Sequence, residues 1–247
     1  MREAYTDTHT DAAIVDTDQQ PDLSKDSNIL VELQEVSRHY VDGDVMALDR
    51  VSLVIGRGEF VSIVGPSGCG KSTLLNMIGA LDRPTSGSIQ FDGHPIDDAM
   101  NLDQLRSKQI GFVFQSFHLL PNLTAEENVQ LPMFGDGRSV VKRRKVAREL
   151  LTEVGLADRA QHFPWQLSNG QRQRVAIARA LANGPALVLA DEPTGALDSE
   201  SGEVVMRMMT EFCRNDQTTL VVVTHDDSIA ERSDRVIRLL DGRIVNV

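Results

Sequence analysis

No apolar run in this 247-residue chain approaches the ~18–20 residues that cross a bilayer. The opening Met1-Arg2-Glu3-Ala4-Tyr5-Thr6-Asp7 lacks the apolar core of a secretory signal. Together these gaps predict a cytosolic chain, with any membrane role supplied through a partner that spans. Cysteine is scarce: Cys69 and Cys213 are far apart and suggest no disulfide framework. Cys213 reads as a small core residue, whereas the Cys69 thiol matters only if a reagent reaches it. Basic charge is in deficit, with a formal net charge of −11. That argues against a nucleic-acid partner, which calls for a basic face. No internal repeat is visible.

What is present fits a globular α/β chain, 41% apolar and 25% charged. Part of the negative charge is local. Residues 1–28 carry Glu3, Asp7, Asp11, Asp16, Asp18, Asp22 and Asp26 against Arg2 and Lys25, which predicts a disordered acidic tail. From residue 29 the pattern is strand-rich, with short β-like runs at 29–33 and 51–55 separated by the Asp42-Gly43-Asp44 turn. Phe60-Val61-Ser62-Ile63-Val64 is a near-continuous apolar strand, the kind buried on both faces of a parallel sheet. A helix over 71–81, a strand over 88–91, a mostly helical stretch at about 116–182, and strands at 186–190 and 220–224 follow. The chain closes on a hairpin around Asp241-Gly242. The basic run at 140–155 (Lys142, Arg143, Arg144, Lys145, Arg148) reads as a solvated helix face. Strand–helix–strand alternation after residue 60 predicts a doubly wound parallel core.

The chemistry is carried by a few short segments. Gly65-Pro66-Ser67-Gly68-Cys69-Gly70-Lys71-Ser72 matches G-x-x-x-x-G-K-[ST] between a buried strand and a helix. Glycines there let backbone N–H groups turn inward around phosphate oxygens, and the helix start adds its positive dipole end. Lys71 would neutralise the β- and γ-phosphates, and Ser72 offers a hydroxyl to Mg²⁺. Leu187-Val188-Leu189-Ala190-Asp191-Glu192-Pro193 is a buried strand ending in two acids, at the edge where ligands bind in open α/β sheets. Such a pair is also what a solvated turn looks like; beside the phosphate loop, Asp191 is assigned to the Mg²⁺ shell through water and Glu192 to the attacking water. His225 ends a third apolar strand and would place a protonatable donor near the γ-phosphate. Gln115, after Ile110-Gly111-Phe112-Val113-Phe114, offers an amide oxygen to Mg²⁺. Tyr40 offers an aromatic face to adenine, a contact worth about 1–3 kcal/mol for base–aromatic pairs. Taken alone, each of these three also fits a structural role. Ser168-x-x-Gln171 ahead of Val175, Ala176, Ile177 and Ala180 is a capping-box pattern. The same geometry, with Gly170 beside it, presents helix-start N–H groups to an anion.

In order, Tyr40, the 65–72 loop, Gln115, Leu167-Ser168-Asn169-Gly170-Gln171, Asp191-Glu192, Ala196-Leu197-Asp198 and His225 resemble the seven motifs of ATP-binding-cassette (ABC) ATPases, from A-loop to H-loop. The resemblance covers about 29–247. Val113-Phe114-Gln115-Ser116-Phe117-His118-Leu119-Leu120-Pro121-Asn122-Leu123-Thr124-Ala125-Glu126-Glu127-Asn128-Val129 and Asp191-Glu192-Pro193-Thr194-Gly195-Ala196-Leu197-Asp198-Ser199 resemble the lipoprotein-release and macrolide-export branch. The resemblance implies an α/β fold with a RecA-like P-loop NTPase parallel-sheet core, an antiparallel β subdomain, and a helical subdomain at about 116–182. It implies an ATPase with ATP and Mg²⁺, and a homodimer or pseudo-dimer. A separate membrane permease would dock near residues 115–129, leaving the chain peripheral on the cytoplasmic face. It places nucleotide contacts at Tyr40, residues Gly65 to Ser72 with Thr73, Gln115, Ser168, Gly170, Gln171 and Asp198. Metal contacts fall to Ser72, Gln115 and Asp191, and catalysis to Lys71, Glu192 and His225. A non-transport ABC ATPase acting in signalling or assembly is the alternative. One residue departs from the family pattern: Asn169 stands where Leu-Ser-Gly-Gly-Gln has its first glycine. Asn tolerates left-handed backbone angles, so the turn is expected to survive.

Overall fold

A computed structural model describes residues 28–245 apart from Asp216; the acidic tail expected at the start lies, but for Asn28, outside the described residues. Among the described residues the ten strands are β1 Ile29–Tyr40, β2 Val45–Gly56, β3 Phe60–Val64, β4 Ser86–Phe91, β5 His94–Pro95, β6 Ile110–Phe114, β7 Leu187–Asp191, β8 Thr219–Val223, β9 Arg235–Leu240 and β10 Arg243–Val245. The α-helices among these residues are α1 Lys71–Ile78, α2 Leu102–Gln109, α3 Ala125–Gln130, α4 Val140–Glu153, α5 Asn169–Leu181, α6 Ser199–Asn215 and α7 Asp227–Ala230.

Two sheets form. One is antiparallel, in the order β2-β1-β4-β5. The other has the order β10-β9-β3-β8-β7-β6, parallel from β9 to β6 and closed at its edge by the β9–β10 hairpin. The α/β class expected from the sequence, a parallel core with an antiparallel sheet beside it, is what the chain adopts. Period-two side-chain alternation explains the layering. Leu187, Leu189, Val221 and Val223 face the layer that holds α1 and the antiparallel sheet. Val188, Ala190, Leu220 and Val222 face α6 through Val205, Met206, Met209 and Cys213. Cys213 is thus the small core residue it was read to be. Both faces are covered, so these strands read as unbroken apolar runs.

A third core lies among α3, α4 and α5, with Val129, Ala147, Leu151, Val175 and Ala178 inside. Helix α5 belongs to two cores at once: Ile177 and Ala180 pack toward the sheet, Val175 and Ala178 toward the other helices. It ties the helical region to the sheet. The basic run on α4 is partly committed to structure. Arg144 and Arg148 reach Glu126 at 3.0 and 2.7 Å, and the Glu126 side chain is 2% exposed. A buried carboxylate is tolerated because these two guanidiniums and Gln161 surround it.

Several boundaries differ from the expectation. The early strands are twelve residues each, joined by the turn at 41–44. They are longer than their apolar runs because Glu35 and Arg50 adopt left-handed angles (φ 50° and 49°) at register shifts, which breaks strict alternation. Helix α1 stops at Ile78, short of 81, since Ala80 turns left-handed (φ 51°).

Candidate active site

In the parallel sheet Val223 lies opposite both Ile63 and Asp191, and Asp191 lies opposite Phe114. The strands β3, β6, β7 and β8 therefore end level at one edge. The next residues are Gly65, Gln115, Glu192 and, one position later, His225. Residues spread over 160 positions meet because parallel strands in register deliver their carboxyl ends to one crevice.

The 65–72 loop leaves β3 and enters α1. Gly70 caps α1 at φ 103°, and a side chain there would collide with the Ala47 carbonyl, so the turn requires glycine. No side chain caps this helix. Its first-turn N–H groups therefore face the loop without a side-chain acceptor. Lys71 Nζ donates to the Gly65 and Pro66 carbonyls at 2.8 and 2.9 Å, spanning the loop. The Cys69 side chain is buried (4% exposed), so the thiol is shielded from reagents in the folded chain.

Asp191 and Glu192, adjacent in sequence, stand in different surroundings. Burial pushes the Asp191 carboxyl above the usual range, opposed by a hydrogen bond from Ser72; the neighbouring charge of Glu192 raises it further and that of Lys71 lowers it. Glu192 takes a left-handed backbone (φ 46°), uncommon for a non-glycine residue, while its N–H is fixed to the Val223 carbonyl at 2.9 Å. That turn aims its side chain, 19% exposed, at His225, whose Nδ1 lies 2.9 Å from Glu192 Oε2. The hydrogen bond to Glu192, then its charge, raises the His225 pKa above the ordinary value. Gln115 lies over Gly195: a Cβ at Gly195 would come 2.7 Å from Gln115 Nε2, so only glycine lets the amide settle there.

Tyr40 sits apart from the strand ends, at the end of β1. Arg38 stacks on its ring at 4.5 Å and its hydroxyl donates to Asp82 at 2.9 Å. Arg38 also pairs with Asp82 at 3.0 Å, so the ring is held by three mutually bonded groups.

At the start of α5 the capping box expected from the sequence is present. Ser168 Oγ accepts from the Gln171 N–H at 3.3 Å, and Gln171 Oε1 accepts from the Ser168 N–H at 2.9 Å. Asn169 differs from the expectation. It is the first residue of α5 and is not among the residues with positive φ, so left-handed tolerance plays no part. Within this chain, Gly170 lies against Ser201, which donates to the Asp198 carboxylate. Arg179 belongs to none of the seven motifs. From α5 it donates to the Phe117 and His118 carbonyls at 2.9 and 2.5 Å, pinning two consecutive left-handed residues (φ 61° and 45°) just after Gln115. Its burial lowers its pKa. A charged residue on the apolar face of α5 was the signal available for it.

A family model described as an ABC transporter matches residues 48–195. The chain belongs to the ABC transporter family. A lipoprotein-releasing system ATP-binding protein LolD from Shewanella frigidimarina is 48% identical over 224 residues, 89% of this chain and 94% of that protein. A macrolide export ATP-binding/permease protein MacB 2 from Aeromonas hydrophila is 48% identical over 222 residues, 88% of this chain. The chain spans about a third (34%) of the length of that MacB relative. Among solved structures, the dimeric bacterial ABC transporter cassette MJ0796 aligns with a TM-score of 0.81 at 49% identity, over 88% of this chain and 97% of that one. A second dimeric structure of the same cassette, in a post-hydrolysis state bound to ADP and Pi, aligns at 0.80 and 48%. The resemblance to the lipoprotein-release and macrolide-export branch holds, and the fold is that of the cassettes. No helix among the described residues is long and apolar enough to cross a membrane.

Proposed function

We propose that this ABC cassette binds and hydrolyses ATP, that two copies close around two ATP molecules, and that closure drives a membrane permease in export or lipoprotein extrusion. The observation that carries the reading is the meeting of the uncapped phosphate loop, Asp191 and the Glu192–His225 pair at one sheet edge.

In this reading the α1 start and Lys71 bind the phosphates, exchanging the loop carbonyls for phosphate oxygens as Lys71 partners. Tyr40, fixed by Arg38 and Asp82, supplies a stacking face for adenine. The donor set fits Mg²⁺. Ser72 stands close enough to Asp191 to lower the pKa of its carboxyl, against the effect of burial. Magnesium bound with nucleotide takes one or two protein ligands and the rest from phosphates and water. Ser72, Asp191 through water, and the Gln115 amide would hold it. Bound there, it neutralises charge developing on the phosphate oxygens.

Glu192 orients the attacking water and takes its proton as the bond from the γ-phosphorus to the leaving oxygen breaks. His225 holds the Glu192 carboxylate in line from Nδ1 and turns its Nε2 edge toward the γ-phosphate. The partner copy's Ser168 and Gly170 close the far side. The permease is expected to dock near residues 115–129, where Arg179 and the Glu126 cluster stiffen the surface, and the cassette would lie on the cytoplasmic membrane face. Steady-state phosphate release by the purified chain, beside capture of partners from membranes, tests the reading. A permease among the captured proteins supports transport. Turnover with a soluble scaffold instead would favour an assembly role, and no turnover would remove the ATPase reading.

A further inference from the structure

Asn169 is the one residue of the signature turn that departs from the family pattern, and its side chain has a defined job. Its carboxamide Nδ2 donates to the Ala196 carbonyl at 3.2 Å, while its Oδ1 faces Arg172 Nη1 at 3.5 Å. The two contacts agree on one orientation, since only the NH₂ end can serve a carbonyl and only the oxygen can accept from a guanidinium. One turn further along α5, Gln173 is fully buried and donates to the Pro193 carbonyl at 2.6 Å. To do so it leaves its own Oε1 without a partner among the described residues, a cost set against that one contact. Between these two bonds, a Cβ at Gly170 would sit 3.3 Å from Ser201 Oγ. Ser201 in turn donates its N–H and hydroxyl to the Asp198 carboxylate at 2.9 and 2.8 Å.

The start of α5 thus meets the 193–201 segment at three points within one chain. Pro193 is buried, whereas Ala196 is exposed. The bond from Asn169 is the one that a glycine at 169 would not make.

We propose that Asn169 is a positioning residue: it locks the turn of Ser168, Asn169 and Gly170 to the Ala196, Leu197 and Asp198 loop of its own chain, so that one copy presents both to the nucleotide held by the other as a single unit. This rests on the ATP-sandwich dimer of the proposed function. Loops already joined lose less conformational freedom on closure, so the closed dimer is favoured. The phosphate loop is not part of this linkage, and ATP binding to the open chain does not depend on it.

The test uses the full chain carrying Glu192→Gln, in which ATP-driven dimerisation is followed by sedimentation. Adding Asn169→Ala is expected to raise the dimer dissociation constant about fivefold, the scale of one hydrogen bond. Affinity for a fluorescent ATP analogue at monomer concentrations should stay unchanged, and the melting temperature should fall only by the roughly 2–4 °C that the loss of one hydrogen bond brings. Asn169→Gly, the residue of the family pattern, should weaken dimerisation in the same way and guards against a folding defect in the alanine variant. Combined with Asp198→Ala, the loss should be smaller than the sum of the two single losses, since both act through one loop. Unaltered dimerisation in both Asn169 variants, or strictly additive losses with Asp198→Ala, overturns the proposal. A parent that stays monomeric with ATP instead brings down the dimer reading itself, and this proposal with it.

Discussion

The two helix starts proposed to share one nucleotide are built in opposite ways. The start of α1 is open: Gly70 caps it in a left-handed conformation and no side chain claims its N–H groups. The start of α5 is closed on itself by the reciprocal bonds of Ser168 and Gln171. An open start is short of acceptors and gains most from a phosphate, whereas a capped one already has a partner and adds less. In the proposed dimer the phosphate loop would load first in a single chain, and the signature turn would join only when a second copy brings it within reach. Ser168 need not give up its cap to join. Its oxygen accepts from Gln171 N–H, which leaves the hydroxyl proton free to donate.

The strongest way to sharpen this contrast is to stop hydrolysis while leaving both starts intact. Glu192→Gln removes the proton acceptor and should lower the turnover rate by roughly 10²–10⁴-fold with ATP affinity unchanged; phosphate-release kinetics beside equilibrium binding would reveal it. Next in size is Lys71→Ala, which strips the open start of its charge. ATP affinity of the single chain should fall about 10–100-fold, the range of a charge-assisted hydrogen bond, as read by titration calorimetry. Ser168→Ala should do the reverse. Loss of the cap costs about 1 kcal/mol of stability, visible in chemical denaturation, and weakens ATP-driven dimerisation while single-chain ATP binding stays as it was. Equal losses of single-chain affinity in the Lys71 and Ser168 variants would break the contrast.

The smallest expected effect concerns His225. Glu192 raises its pKa, so the imidazole should titrate above the ordinary histidine value of 6.5 and drop back in Glu192→Gln, followed by NMR of the ring protons. A raised folded pKa means that the stabilisation from this pair is fully present below the unfolded histidine pKa. It is lost as pH rises through the folded value. An unshifted His225 in the wild-type chain would argue that the 2.9 Å contact does not persist in solution.

The core of the fold was legible because its signals are strong. Strands buried on both faces read as apolar runs, as at 60–64 and 187–191, and the G-x-x-x-x-G-K-S loop lies between one of them and a helix. The Ser168 box was equally plain, since its two partners lie three residues apart. Weaker signals hid the rest. Helix α2 buries only Leu105, so it has almost no apolar face to betray it. Residues 34–40 alternate poorly because of the left-handed kink at Glu35, and the strand outruns its apolar start. Arg179 and the amide of Asn169 act on backbone carbonyls 61 and 27 positions away. Carbonyls are present at every position, so no residue type in the sequence marks where such a bond ends. Glu192 was found by its neighbours, but its left-handed turn was not, because nothing about glutamate at a strand end announces it.

The central claim is that two copies of this chain close around ATP before hydrolysing it. Sedimentation of Glu192→Gln with and without ATP and Mg²⁺ tests it most directly. The account predicts a monomer without nucleotide and a species of twice that mass with ATP but not with ADP; a monomer under all three conditions would contradict it.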